Sequence, residues 1–152
     1  MRRFLSWLVL LVLLLPAGVD GATDTVRIRK VLPHLLDRKG RHAVSPSLYD
    51  RDAYQDHLRR HPEEVSALRF DIHWQARMER RQPLQLRLEV RTGRQPKPLV
   101  LERTVQPGRW YNSWSSLSLD GEAFRESGGV VAWRATLWQG EQLLAEQRSF
   151  LW

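Results

Sequence analysis

From Leu68 to Met78 the chain alternates without a fault. Leu68, Phe70, Ile72, Trp74, Ala76 and Met78 are apolar, while Arg69, Asp71, His73, Gln75 and Arg77 between them are polar. A period of two places each set on its own face of a strand, one dry and one wet. Leu84, Leu86, Leu88 and Val90 repeat the pattern against Gln85, Arg87, Glu89 and Arg91. Glu79 to Pro83 reads as a polar turn, so these two segments are expected to form an antiparallel hairpin with one buried face.

The same alternation, more loosely kept, marks further strands at Val26 to Leu32, Leu99 to Val105, Trp114 to Leu119, Val130 to Trp138 and Gln142 to Trp152. Gly93, Pro96 and Pro98 mark a loop, Pro107-Gly108 a turn, and Gln139-Gly140-Glu141 the turn of a closing hairpin. In that hairpin Val131, Trp133, Ala135 and Leu137 share one face of the outgoing strand. The return strand changes parity, which predicts a bulge near Glu146 to Arg148. Asp120-Gly121 opens a short excursion, about one helical turn, that ends at Gly128-Gly129.

One segment departs from the period of two. Ser47 to His61 carries the signals of a helix: Ser47 and Asp50 at capping-box spacing, Asp50 and Asp52 near its start, Arg59, Arg60 and His61 near its end, and Pro62 to stop it. Ala53, Tyr54, His57 and Leu58 give it only a narrow apolar stripe, enough to lie across the rim of a sheet.

Seven or eight short strands with regular turns predict an all-β fold, two antiparallel sheets packed as a sandwich with one short helical insert at about 47–61. The segment Gly129-Val-Val-Ala-Trp-Arg-Ala-Thr-Leu-Trp-Gln-Gly-Glu-Gln-Leu-Leu-Ala-Glu-Gln-Arg-Ser-Phe150 resembles the closing hairpin of bacterial immunoglobulin-like and fibronectin-type-III-like modules. That resemblance implies an immunoglobulin-like sandwich and adhesion or binding more than catalysis, and it transfers no residue roles. The helical insert departs from the simple version of such modules.

The N-terminus changes the picture from fold to destination. Arg2 and Arg3 precede an apolar run from Phe4 to Leu15, and Pro16 leads into the small residues Ala17, Gly18, Gly21 and Ala22. This is the layout of a secretory signal peptide spanning 1–22, with cleavage after Gly21 or Ala22. Its apolar run of about a dozen residues falls short of the roughly 20 that cross a bilayer. The expectation is a single domain over 23–152, periplasmic or extracellular, without stable membrane insertion of the mature chain. The sequence contains no cysteine, so the domain is held by its core without disulfides, and thiolate chemistry, cysteine metal sites and a lipoprotein anchor are excluded.

The whole chain has 24 Lys and Arg against 17 Asp and Glu. Without Arg2, Arg3 and Asp20, which fall in the leader, the charge is about +6, which favours anionic partners. The basic residues cluster only at Arg27 to Lys30, Arg38 to Arg41 and Arg59-Arg60. Nucleic acid is not an expected partner, because no recognised motif is present.

The search for chemistry finds no Gly-x-Ser-x-Gly, no Ser-x-x-Lys and no phosphate-binding glycine loop. His57 and His61 stand four apart on the predicted helix, a spacing that can bring two imidazoles to one metal. No His-Glu-x-x-His motif frames them and Pro62 follows, so they are read as dipole-complementing helix-end residues, with no metal and no cofactor expected. Asp71 and His73 share a wet face with Arg69 and are read as part of an exposed charged sheet; His34 and His42 carry no signal. Tryptophan is the informative excess, at seven. Trp74 and Trp133 sit on apolar faces. Trp110, Tyr111 and Trp114, interleaved with Asn112, Ser113, Ser115 and Ser116, and Trp138, off the core parity of its strand, are the candidate binding residues. The expected function is non-enzymatic: an exported module that binds an envelope protein or cell-wall polymer. The alternative is a carbohydrate- or peptidoglycan-binding module using those rings.

Overall fold

The computed structural model describes residues 25–78, 82–108 and 112–152. The expected signal peptide, 1–22, lies outside them. Seven strands are present among the described residues: β1 (Thr25–Asp37), β2 (Val65–Arg77), β3 (Leu84–Thr92), β4 (Leu99–Val105), β5 (Asn112–Leu119), β6 (Val130–Gln139) and β7 (Gln142–Arg148). They form two antiparallel sheets, one ordered β1-β2-β5 and the other β4-β3-β6-β7. Two helices accompany them, α1 (Leu48–Arg60) between β1 and β2, and α2 (Gly121–Ser127) between β5 and β6. The fold is an all-β two-sheet sandwich.

The dry faces of β2 and β3 make the core. Phe70, Ile72 and Trp74 from β2 and Leu84, Leu86, Leu88 and Val90 from β3 are each at most 1% exposed. Leu117 from β5, Val105 from β4, and Ala135 and Leu137 from β6 complete the layer. Trp74 is accommodated whole because its indole Nε1 donates to Ser115 Oγ at 3.0 Å, leaving no buried donor unpaired.

Three expectations need correcting. β2 and β3 do not form a hairpin: β2 pairs with β1 and β5, and β3 pairs with β4 and β6. Two equally apolar faces bury more surface across the interlayer than side by side, so the chain crosses from one sheet to the other between them. The closing hairpin bulges at Leu143–Ala145, where Leu137 pairs with Ala145 and Trp138 with Leu143, not at 146–148. Val131 is not on the core face. An irregularity between Arg91 and Thr92 skips it in the β3–β6 register, and it is left 54% exposed.

β1 also runs further than its pattern suggests, through Pro33 to Asp37. As an edge strand of its sheet, β1 tolerates a proline that donates no hydrogen bond. A bulge at Arg29, between the pairs Ile28–Trp74 and Lys30–His73, reverses its parity. Val26 and Ile28 face the core before the bulge, and Val31 and Leu35 after it.

α1 starts at Ser47, whose hydroxyl accepts from Asp50 N at 3.4 Å, as the capping spacing predicts. Its buried Gln55 works on the edge of β1: Leu35 N donates to Gln55 Oε1 at 2.8 Å, and Gln55 Nε2 donates to the carbonyls of Leu35 and His42 at 2.9 and 2.8 Å. A side-chain amide thus stands where another strand's peptide group would, and it shields the edge. Asp37 secures the loop before α1. Its carboxylate accepts from Lys39 N, Arg41 N and Tyr54 Oη at 2.8 Å each, and from the Arg41 guanidinium at 2.8 Å. Gly40 closes that turn at φ 74°, a conformation that suits glycine.

Replacing Phe70 with alanine is expected to cost about 3–5 kcal/mol, read from urea unfolding monitored by tryptophan fluorescence. Val131→Ala, outside the core, is expected to stay within about 0.5 kcal/mol of the parent; a loss comparable to that of Phe70→Ala would contradict the bulge.

Candidate functional site

The outward positions of the three-stranded sheet form one continuous surface. β2 contributes Arg69, Asp71, His73 and Gln75 along its centre. The register sets Ser118, Ser116, Trp114 and Asn112 of β5 beside them in that order, and His34, Leu32, Lys30 and Arg27 of β1 on the other side. His73 and Trp114 are therefore cross-strand neighbours, and their rings stack with centroids 4.7 Å apart and planes 12° from parallel. Trp114 remains 56% exposed. The result is a largely exposed aromatic plate with one face stacked on the imidazole of the neighbouring strand.

Polar groups flank the plate at both ends. Towards the strand ends, Gln75 donates through Nε2 to Asn112 Oδ1 and accepts from Arg29 Nε at 2.7 Å. Beyond this pair lies a shallow hollow lined by Thr25, Arg27, Arg29, Gln75 and Arg77. Three arginines at one end of an aromatic surface make that end attractive to anions.

At the other end Asp71 organises a denser network. Its Oδ1 accepts from Ser116 Oγ at 2.6 Å. Its Oδ2 accepts from His34 Nδ1 at 3.0 Å and from the Arg69 guanidinium at 3.0 and 3.2 Å. Burial opposes the charge on Asp71, but the hydrogen bonds from Ser116, Arg69 and His34 outweigh it and hold the carboxyl below its ordinary range. Arg69 also reaches His42, with Nη2 at 3.2 Å from Nδ1. Arginine can only donate, so His42 accepts at Nδ1 and carries its proton on Nε2. Burial, followed by the charge of Arg69, lowers the proton affinity of His42. The His34 and His42 rings lie 5.1 Å apart.

Ser116 donates to a carboxylate that also accepts from Arg69 and His34. What the arrangement offers is a rigid set of donors and acceptors beside an exposed ring.

The residues singled out by sequence are dispersed. Trp114 lies on this face. Trp110 and Tyr111 lie outside the described residues, immediately ahead of Asn112. Trp138 is opposite Gln85 on the outer face of the four-stranded sheet, with its Nε1 donating to Thr136 Oγ1 at 2.8 Å, so it and Trp114 point away from each other. The Asp71–His73 pair divides, His73 going to Trp114 and Asp71 to His34. His34 and His42 carried no signal: the Arg29 bulge brings His34 to the outer face, and the Asp37 turn brings His42 there.

Of the basic clusters, Arg41 is committed to Asp37 and Arg59 and Arg60 to Asp56. Arg27 and Arg29 are the members of these clusters that line the hollow.

Two pH effects follow. The folded state holds His42 less protonated than an unfolded histidine near 6.5, so stability is full above that pH and falls as acid protonates the unfolded chain first. Asp71 is depressed, so its contribution is full above about pH 4 and is lost as the pH drops through and below that value. Thermal midpoints measured from pH 8 to 3 are expected to fall in both windows. His42→Gln should lose less than the parent between pH 7.5 and 5.5, and Asp71→Asn should flatten the fall below pH 4.

No protein-family model matches this chain, and no curated protein matches it.

Proposed function

We propose that this protein is an exported, non-enzymatic β-sandwich of the immunoglobulin-like or fibronectin-type-III-like kind, and that it binds an envelope macromolecule through the outer face of its three-stranded sheet. The strand order supports the fold assignment. Strands one, two and five share one sheet and three, six and seven the other, as in immunoglobulin domains, with strand four joining strand three. Export rests on the N-terminal signal described above, with a periplasmic or extracellular destination.

The observation that carries the binding role is the exposed Trp114 plate stacked on His73, with the Arg27, Arg29 and Arg77 hollow at its end. A large exposed ring on a rigid strand loses little entropy on contact, and aromatic and arginine side chains dominate binding energetics at interfaces. The anion-attracting end favours an acidic polymer or an acidic protein surface.

A second reading, a carbohydrate- or peptidoglycan-binding module, is favoured by the flatness of the plate. The Gln75–Asn112 amides on one side and Ser116 and Asp71 on the other are short polar groups beside an aromatic plane, which suits a sugar ring lying over Trp114.

The two are separated by incubating the purified protein with detergent-extracted envelope protein and, separately, with insoluble cell-wall polymer. Trp114→Ala is expected to reduce retention at least tenfold on whichever fraction binds, with an unchanged thermal midpoint. Retention on polymer, with quenching of tryptophan fluorescence by soluble glycan fragments, selects the carbohydrate reading. Undiminished retention of Trp114→Ala on both fractions would remove this face as the binding surface.

A further inference from the structure

All five histidines of the chain lie between positions 34 and 73. Three belong to the outer face of the three-stranded sheet. The other two, His57 and His61, sit at the end of α1. One helical turn separates them, and their ring centroids are 4.4 Å apart. Tyr54, one turn earlier, stacks on His57 at 6.0 Å with planes 13° from parallel, which limits the ring's rotation.

What sequence spacing left out is the chain after Pro62. A short 3-10 turn, Pro62–Glu64, closed by Glu64 N donating to His61 O at 3.0 Å, folds two carboxylates back under the histidines. His57 Nε2 lies 3.0 Å from Glu64 Oε2, and His61 Nδ1 lies 3.1 Å from Glu63 Oε1. The ligating atoms of His61, Glu63 and Glu64 all fall within 4.8 Å of one another. Pro62 starts the turn that supplies the remaining donors.

We propose that His57, His61, Glu63 and Glu64 bind a divalent transition-metal ion of the class represented by zinc(II). Two imidazole nitrogens and two carboxylate oxygens are a donor set for zinc, copper(II) or nickel(II), whereas magnesium and calcium require oxygen shells. Bond lengths of about 2.0–2.2 Å place neighbouring ligand atoms of a tetrahedral shell roughly 3.3–3.5 Å apart. Two of the distances here, His57 Nε2 to Glu64 Oε2 and His61 Nδ1 to Glu63 Oε1, are already shorter than that; His57 stands outside the compact His61–Glu63–Glu64 set and joins it through Glu64. The side chains of His57, His61 and Glu64 are 43–46% exposed and that of Glu63 is 63% exposed, so an ion enters from solvent without opening the fold.

The electrostatics agree. Two carboxylates neutralise the ion, and the site lies at the C-terminal end of α1, where the helix dipole favours positive charge. The nearby cations leave the ligand atoms clear. Arg59 and Arg60 pair with Asp56, and Arg38 donates to the backbone carbonyl of Glu63, not its carboxylate. On binding, the metal replaces the proton each imidazole shares with its glutamate. That proton moves to Nδ1 of His57 and to Nε2 of His61, so no net oxidation or reduction is involved.

The test is calorimetric titration of the intact protein with zinc chloride at about pH 7.5, with magnesium chloride and calcium chloride titrated in the same way as comparisons. One zinc ion per chain is expected, together with a higher thermal midpoint. The double variant His57→Gln/His61→Gln should weaken binding at least tenfold and abolish the midpoint shift, while His73→Gln leaves both intact. Far-UV circular dichroism confirms that each variant is folded, and Glu63→Gln/Glu64→Gln gives an independent second variant. No zinc binding by the parent, equal zinc affinity in the double histidine variant, or tighter binding of calcium than zinc would each overturn the site.

Discussion

The apolar faces of β2 and β3, pressed together across the interlayer, are the contact on which the rest of the molecule depends. Phe70, Ile72 and Trp74 meet Leu86, Leu88 and Val90 with almost no exposure. With no cysteine in the chain, no covalent link takes over any of that burden. Burial of side chains of this size, each contributing roughly 1.5–3 kcal/mol, must offset the conformational entropy of ordering a domain whose contacts are largely between strands distant in sequence.

That contact also dictates the outer surface. Once the even-numbered residues of β2 are committed to the interlayer, Arg69, Asp71, His73 and Gln75 have one direction left, and they line up on the opposite face. Pairing with β5 then sets Trp114 against His73 and Ser116 against Asp71. A register slip of one residue would bury the polar set and expose the apolar one, so core packing and site geometry are specified together.

Irregular elements finish what the regular ones begin. The bulge at Arg29 keeps β1 on the core at both ends while presenting His34 to Asp71. The turn secured by Asp37 swings His42 over Arg69, and Gln55 of α1 ties the same loop to the edge of β1. The insert between β1 and β2 is thus both the cover of an exposed sheet edge and the source of His42, His57 and His61.

The period-two pattern was enough to read the all-β class, the positions of the strands and the core status of Trp74, because alternation is a local property imposed by each strand's own pleat; the helix after Ser47 was legible from its capping and end residues instead. The partners of those strands were not legible. β2 and β3 have the same pattern whether they lie side by side or face to face, and only the whole set of apolar faces, buried at once, sends them to different sheets. The candidate site divides in the same way. Trp114 was visible as an aromatic among short polar residues, whereas His34, His42, Glu63 and Glu64 acquired meaning only when a bulge, a carboxylate-anchored turn and a proline-initiated turn brought them to their partners. Side-chain period is written residue by residue; proximity between residues far apart in the chain, or folded back by a turn, comes into being only when the tertiary structure closes.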